Sequence, residues 1–141
     1  MCASIFFSPQ FSMKKLHFLF LIFIGGTHYH SLSCLLYAAC ILQMGINYLH
    51  ECKPDPIIHC HLRPKNVLLD DGGQLKVAGF GLIKMLKISP DRYKLVNPMA
   101  DTNSSYVAPE LYKNEIFDKS VDSFSFGLIL YEVCQIHFSS V

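Results

Sequence analysis

Between Ser120 and Gln135 the chain offers an almost wholly apolar segment, with Val121, Phe124, Phe126, Leu128, Ile129 and Val133 as its main side chains. A helix of that composition is stable only where other elements cover it, so the spacing predicts a helix at the centre of a domain. The remaining residues have to supply the cover. With 141 residues, one domain is the most the chain can build. Its hydrophobic fraction of 51% and mean hydropathy of +0.30 are high for so small a unit. They point to apolar surface that something outside these residues normally covers. A net charge of +1 and a pI near 7.7 create no large field. Neither nucleic acid nor an anionic membrane surface is therefore indicated as a partner.

A second helix is read from Leu35 to Glu51, where Leu35, Leu36, Ala39, Leu42, Ile46 and Leu49 recur at the spacing of one buried face. Pro54 and Pro56 stop it. Two short strands follow, Asn66 to Leu69 and Gln74 to Val77, joined by Asp70-Asp71-Gly72-Gly73, a strong hairpin signal. Residues 82–107 show no period and contain Pro90, Pro98 and the polar run 101–105, which reads as a long mobile segment without elements. The fold class expected is mainly α with a small β-hairpin, an α+β arrangement.

Set on these elements are four short motifs in order: His59-Cys60-His61-Leu62-Arg63-Pro64-Lys65-Asn66, then Val77-Ala78-Gly79-Phe80-Gly81, then Ala108-Pro109-Glu110, then Asp122 opening the apolar helix. They resemble the catalytic loop H-R-D-L-x-x-x-N, the D-F-G and the A-P-E of protein kinases. The resemblance covers about residues 35–138 and is strongest to serine/threonine-type, plant Raf-like and integrin-linked-type kinases. It implies a partial C-terminal lobe at 35–141, preceded by an atypical segment at 1–34. ATP and magnesium are the cofactors of that family.

Residue by residue, the resemblance puts His61 where the catalytic aspartate stands and Gly79 where the D-F-G aspartate stands, so both acids of the chemistry are replaced. Arg63 takes the place of the loop lysine that meets the transferred phosphate. Asn66 keeps an oxygen for magnesium, and Asn66, Leu68 and Gly79 line the nucleotide side. One neutral amide is a poor substitute for a carboxylate toward a hard dication. A histidine at 61 is a differently aimed base whose cationic form repels magnesium, and the plainer expectation is a solvent-facing loop histidine. His59 packs under the phenylalanine Phe80 in this reading. Glu110 pairs in the family with an arginine near the domain's end, which leaves its carboxylate in water here. Asp122 either receives backbone N–H groups of the catalytic loop or caps its own helix. Ser89, Thr102, Ser104 and Ser105 are the candidate phosphosites of the activation segment. No G-x-G-x-x-G loop with a following lysine occurs within these residues.

Residues 1–34 admit two origins, with a buried or interfacial helix as the plainer third possibility. Lys14 and Lys15 ahead of the apolar run Leu16 to Ile24, with Ser31 and Ser33 beyond Gly25-Gly26, have the outline of a signal peptide at 13–33. The alternative is a different start that replaces kinase sequence, leaving an apolar run with no surface evolved to receive it. The run is too short to span a bilayer. The six cysteines, Cys2, Cys34, Cys40, Cys52, Cys60 and Cys134, form no C-x-x-C pair, which favours reduced thiols in the cytoplasm over a disulfide framework in the secretory pathway. His50, Cys52, His59, Cys60 and His61 match no paired zinc-ligand spacing. The expected function is a kinase-family lobe disabled for phosphoryl transfer. The alternatives are a non-enzymatic module that binds an intact kinase or another protein, and a small secreted disulfide protein.

Overall fold

The structure is a computed structural model that describes residues 14–15, 32–69, 75–97 and 104–139. Helix α1 runs Leu32–His50. Leu42, Ile46 and Leu49 are its buried positions, spaced by four and three residues along one face. Gly45 lies on the side of α1 that meets the sheet, where an added Cβ would stand 3.4 Å from Val77 Cγ2. The helix ends through Glu51 N–H to Asn47 O at 3.0 Å, and Ile57 N–H returns to Leu49 O at 2.9 Å. The chain then enters the loop with Pro54 and Pro56 unable to prolong the helix.

A 3-10 turn at Pro64–Asn66 leads into β2 (Val67–Leu69), which pairs antiparallel with β3 (Leu75–Val77) in the register Val67↔Val77, Leu68↔Lys76, Leu69↔Leu75. The strands are those read from the sequence, and the connecting turn falls among residues 70–74, outside those described. A two-residue strand β1 (Lys14–Lys15) pairs with the other edge of β2, Lys14↔Leu69 and Lys15↔Leu68. These two residues of the N-terminal segment meet the lobe at β2, and the apolar run Leu16 to Ile24, expected to have no receiving surface, lies outside the described residues.

Residues 82–107 are not the structureless stretch expected. Met85–Ser89 (β4) and Arg92–Leu95 (β5) form an antiparallel hairpin with a register irregularity between Lys87 and Ser89. The signal is present in the sequence: Pro90-Asp91 suits a turn, and Arg92-Tyr93-Lys94-Leu95 alternates polar and apolar, with Tyr93 and Leu95 buried. Tyr93 also bridges to Phe117, with paired backbone bonds of 2.8 and 2.9 Å.

The short helix α2 (Pro109–Tyr112) starts with proline at its first position, where a missing N–H costs nothing, and buries Leu111 completely. Helix α3 covers Ser120–Ser139. It is preceded by Asp118, whose Oδ1 accepts the Ser120 N–H at 2.8 Å. Hydrogen bonds from the Ser120 side chain and then from its N–H, with Arg92 at 3.3 Å adding to them, hold the Asp118 carboxyl below its ordinary value. Helix α3 is buried on one face only, through Val121, Asp122, Ser125 and Ile129, while Phe124 and Tyr131 are exposed. The enclosure expected of this helix is therefore one-sided among the described residues, because the elements described there pack against the Val121, Ser125 and Ile129 face.

Two apolar clusters result. One gathers Ile58, Cys60, Tyr93, Leu95, Val107, Leu111, Phe117 and Val121. The other joins Leu42 and Ile46 of α1, Leu62, Val67, Val77 and Ile129 of α3. Ile58, Cys60 and Leu62, alternate residues of one loop, contribute to both, so the loop between them is clamped by the core on either side. The fold class is α+β, as expected, with a second small sheet added.

Candidate active site

The clamped loop is anchored by one carboxylate. Asp122, fully buried, accepts the backbone N–H of Cys60 on Oδ1 and that of His59 on Oδ2, both at 2.8 Å. Oδ2 also accepts His50 Nε2–H at 2.8 Å. A buried charge is costly unless donors surround it, and here α1, the loop and α3 each meet at the same side chain. Cys60 adopts φ +60°, a left-handed conformation that costs a non-glycine residue about 1–2 kcal/mol. The Asp122 bond and the burial of its side chain hold it there. Burial, with Asp122 nearby, pushes the Cys60 thiol up, so it stays protonated, with Sγ–H 3.6 Å from Met85 Sδ.

Beyond the anchor, four hydrogen bonds close a ring. His61 N–H donates to His59 Nδ1 at 3.3 Å, and His59 Nε2 lies 3.0 Å from Ala78 O. Because a carbonyl only accepts, the His59 proton sits on Nε2. Ala78 N–H donates to Asn66 O at 2.8 Å, and Asn66 Nδ2–H returns to His61 O at 2.8 Å. The ring fixes residues 59–66 against 78–79 and is built mainly from backbone groups.

Gly79 follows at φ +83°, and a Cβ placed on it would stand 3.4 Å from Asn66 Nδ2 and 3.7 Å from Oδ1. A side chain at position 79 would therefore point at the Asn66 amide, and glycine supplies none. His61 is half-buried and its Nε2 is out of contact with solvent, which corrects the solvent-facing expectation: the ring bonds at its N–H and its C=O turn the residue inward. Arg63 is half-buried on extended backbone before the 3-10 turn. Leu68 is buried in β2 and Phe80 is half-buried in the turn after Gly79.

Glu110 has one carboxylate oxygen buried with no hydrogen-bond partner among the described residues, so that atom is not in water as expected. Ser89 and Ser105 are exposed and Ser104 is half-buried, whereas Thr102 lies outside the described residues.

Sequence reasoning missed two further supports. His50 was visible only as a basic residue in the last turn of a helix, where cations are favoured. Ser125 places Oγ–H 2.7 Å from Tyr106 O and 3.1 Å from Val121 O, and Tyr106 OH donates to Glu132 Oε2. Burial and Glu132 raise the Tyr106 hydroxyl from 10.0 to about 12. A small polar residue between two phenylalanines, Phe124 and Phe126, was the available signal for Ser125.

This loop, ring and anchor occupy the middle of the span over which the family model described as protein kinase domain matches, residues 19–139. The chain belongs to the protein kinase domain family. Among curated relatives it is similar to integrin-linked protein kinase 1 of Arabidopsis thaliana, 60% identical over 96 residues, which are 67% of this chain and 20% of the relative. It is also similar to serine/threonine-protein kinase 12 of the same plant, 44% identical over 94 residues, 67% of this chain and 20% of that one. With serine/threonine-protein kinase VIK, also from Arabidopsis thaliana, it shares 46% identity over 99 residues, 67% and 22% of the two chains. The chain spans about a fifth of the length of these relatives.

A kinase domain implies ATP and magnesium at family level. At the position the resemblance gives to the D-F-G acid stands Gly79, with no side chain, and Asn66 offers a neutral oxygen, a donor pair that fits a hard dication poorly. Among the described residues, no helix is long and apolar enough to cross a membrane.

Proposed function

We propose that this kinase-family lobe does not transfer phosphate and acts instead as a binding module, set within the plant integrin-linked-type and Raf-like group. The observation that carries the reading is the contrast at one place. The backbone ring through His59, His61, Asn66 and Ala78 is intact, while the two positions it presents for acids are His61, with a buried ring nitrogen, and Gly79, with no side chain. Loss of a positioned general base typically costs ~10²- to 10⁴-fold. Loss of the metal carboxylate removes the charge neutralisation on which phosphoryl transfer depends. What the remaining residues do is hold shape.

The binding-module reading is favoured by the exposure of Leu82, Leu86, Ile88, Val96, Phe124 and Tyr131, which exceeds scattered surface apolar residues. An intact kinase or another protein is the proposed partner. The cytoplasm is the proposed location, supported by the free thiols of Cys40, Cys52, Cys60 and Cys134.

The test is phosphate transfer from ATP by the 141-residue chain, with magnesium and with manganese, to itself and to generic protein substrates. None is expected, and none is expected of the His61→Asp/Gly79→Asp double variant of the same chain. Transfer by the unaltered chain would contradict the proposal.

A further inference from the structure

The hairpin β4–β5 has an inner face packed on the core and an outer face with a distinct chemistry. Strand alternation puts Lys84 and Leu86 on the outer side of the first strand and Arg92, Lys94 and Val96 on the outer side of the second, while Ile88 sits at the register irregularity between Lys87 and Ser89. All six are exposed. The register Leu86↔Lys94 and the bond from Val96 N–H to Lys84 O at 3.1 Å interleave cation and aliphatic across the pair. Arg92 meets Asp118 at 3.3 Å, and Lys87, on the inner side, is bonded by Asp55. Asp91 sits in the turn. Lys84 and Lys94 have no ion pair among the described residues.

One backbone edge of the hairpin is also open. The sheet has the order β4–β5, and β5 is bridged on its far side by Phe117, so among the described residues β4 pairs on one side only. An open edge is a template for another strand. Lysines on such an edge oppose pairing with a second copy, because like charges would face each other. The same lysines favour a strand of opposite charge.

We infer that the β4 edge and the outer face of the hairpin form a docking surface for an extended, acidic and aliphatic segment of a partner protein, added as a third strand. Its carboxylates would lie toward Lys84 and Lys94 and its aliphatic side chains against Leu86, Ile88 and Val96. The inference deepens the binding-module reading and rests on it.

The probe is a synthetic peptide repeating glutamate-serine-valine-serine, which as a strand presents glutamate and valine in turn on one face, titrated into the full chain by fluorescence anisotropy, with amide hydrogen exchange followed at residues 84–88. Saturable, salt-sensitive binding is expected, together with slowed exchange there. Lys84→Glu/Lys94→Glu should weaken it by at least about tenfold. These are exposed positions, and an unchanged thermal midpoint verifies that the fold is kept. Leu86→Ser/Ile88→Ser is the second variant and should also weaken binding.

Absence of binding overturns the inference, as does equal binding of the counterpart with lysine in place of glutamate or of a peptide N-methylated at alternate amides. Binding of phosphatidylserine vesicles but not of the peptide assigns the face to a membrane instead. A dimer lost in the same variants assigns it to a second copy. Phosphate transfer by a chain that still binds the peptide in this way would sink the inactivity claim and leave the surface standing.

Discussion

Asp122 does the most structural work of any single residue in the lobe, because its two oxygens take three donors from two other segments. Asp122→Asn keeps the shape but replaces a charged acceptor by an amide that must turn an N–H toward one of those donors. The expected loss is about 3 kcal/mol, read as a lower denaturation midpoint with unchanged slope. Tyr106 makes a pH-dependent contribution. Its hydroxyl proton is held more tightly in the folded chain, at about 12 against 10.0, so the stability it adds is complete below pH 10.0 and is lost as the pH rises toward 12. Tyr106→Phe should remove this alkaline loss in thermal melts taken across that window. At Cys60, burial and a raised thiol predict inertness. Alkylation under native conditions should label exposed Cys40 while Cys60 reacts only after unfolding, as peptide mass mapping would show.

Among the elements, α1 invites a direct test of packing against propensity. At Gly45 an alanine would gain about 1 kcal/mol of helix propensity. Its Cβ would meet Val77 Cγ2 at 3.4 Å, close to ordinary contact. Gly45→Ala is therefore expected to stabilise the lobe by up to about 1 kcal/mol in chemical denaturation. Both long helices and the β2–β3 pair were legible in the sequence because periodicity and turn chemistry are local signals: Leu42, Ile46 and Leu49 mark a face without reference to anything distant. The β4–β5 hairpin was readable too, from Pro90-Asp91 and the alternation of Tyr93 and Leu95, but its first strand is apolar on its exposed side, which hid the period. The loop motifs were legible as a pattern. Their support was not, since the His50–Asp122 bond joins residues 72 positions apart and Tyr106–Glu132 joins residues 26 apart. Nor did the inward turn of His61 or the buried oxygen of Glu110 leave a sequence trace, because each depends on where neighbouring backbone passes.

Taken as a whole, the molecule has a kinase-family framework, and the proposed loss of activity rests on two positions within it. The anchor, the ring and the two clusters hold the loop with His61 against the segment that carries Gly79, the two places where the resemblance expects aspartates. Large apolar side chains are exposed on α3, at Phe124 and Tyr131, and on the hairpin, at Leu86 and Ile88. Surface of that kind suits contact with other protein.

The most direct measurement compares phosphate transfer from ATP in a longer protein that surrounds these 141 residues with an upstream nucleotide-binding lobe and the C-terminal helices of a kinase domain, once with His61 and Gly79 and once with His61→Asp/Gly79→Asp. The account predicts no detectable transfer from the first and an increase of at least ~10²-fold in the second, the contribution of a recovered general base. High transfer with His61 and Gly79 in place would contradict it, for then the imidazole, Asn66 and Arg63 would suffice for the chemistry.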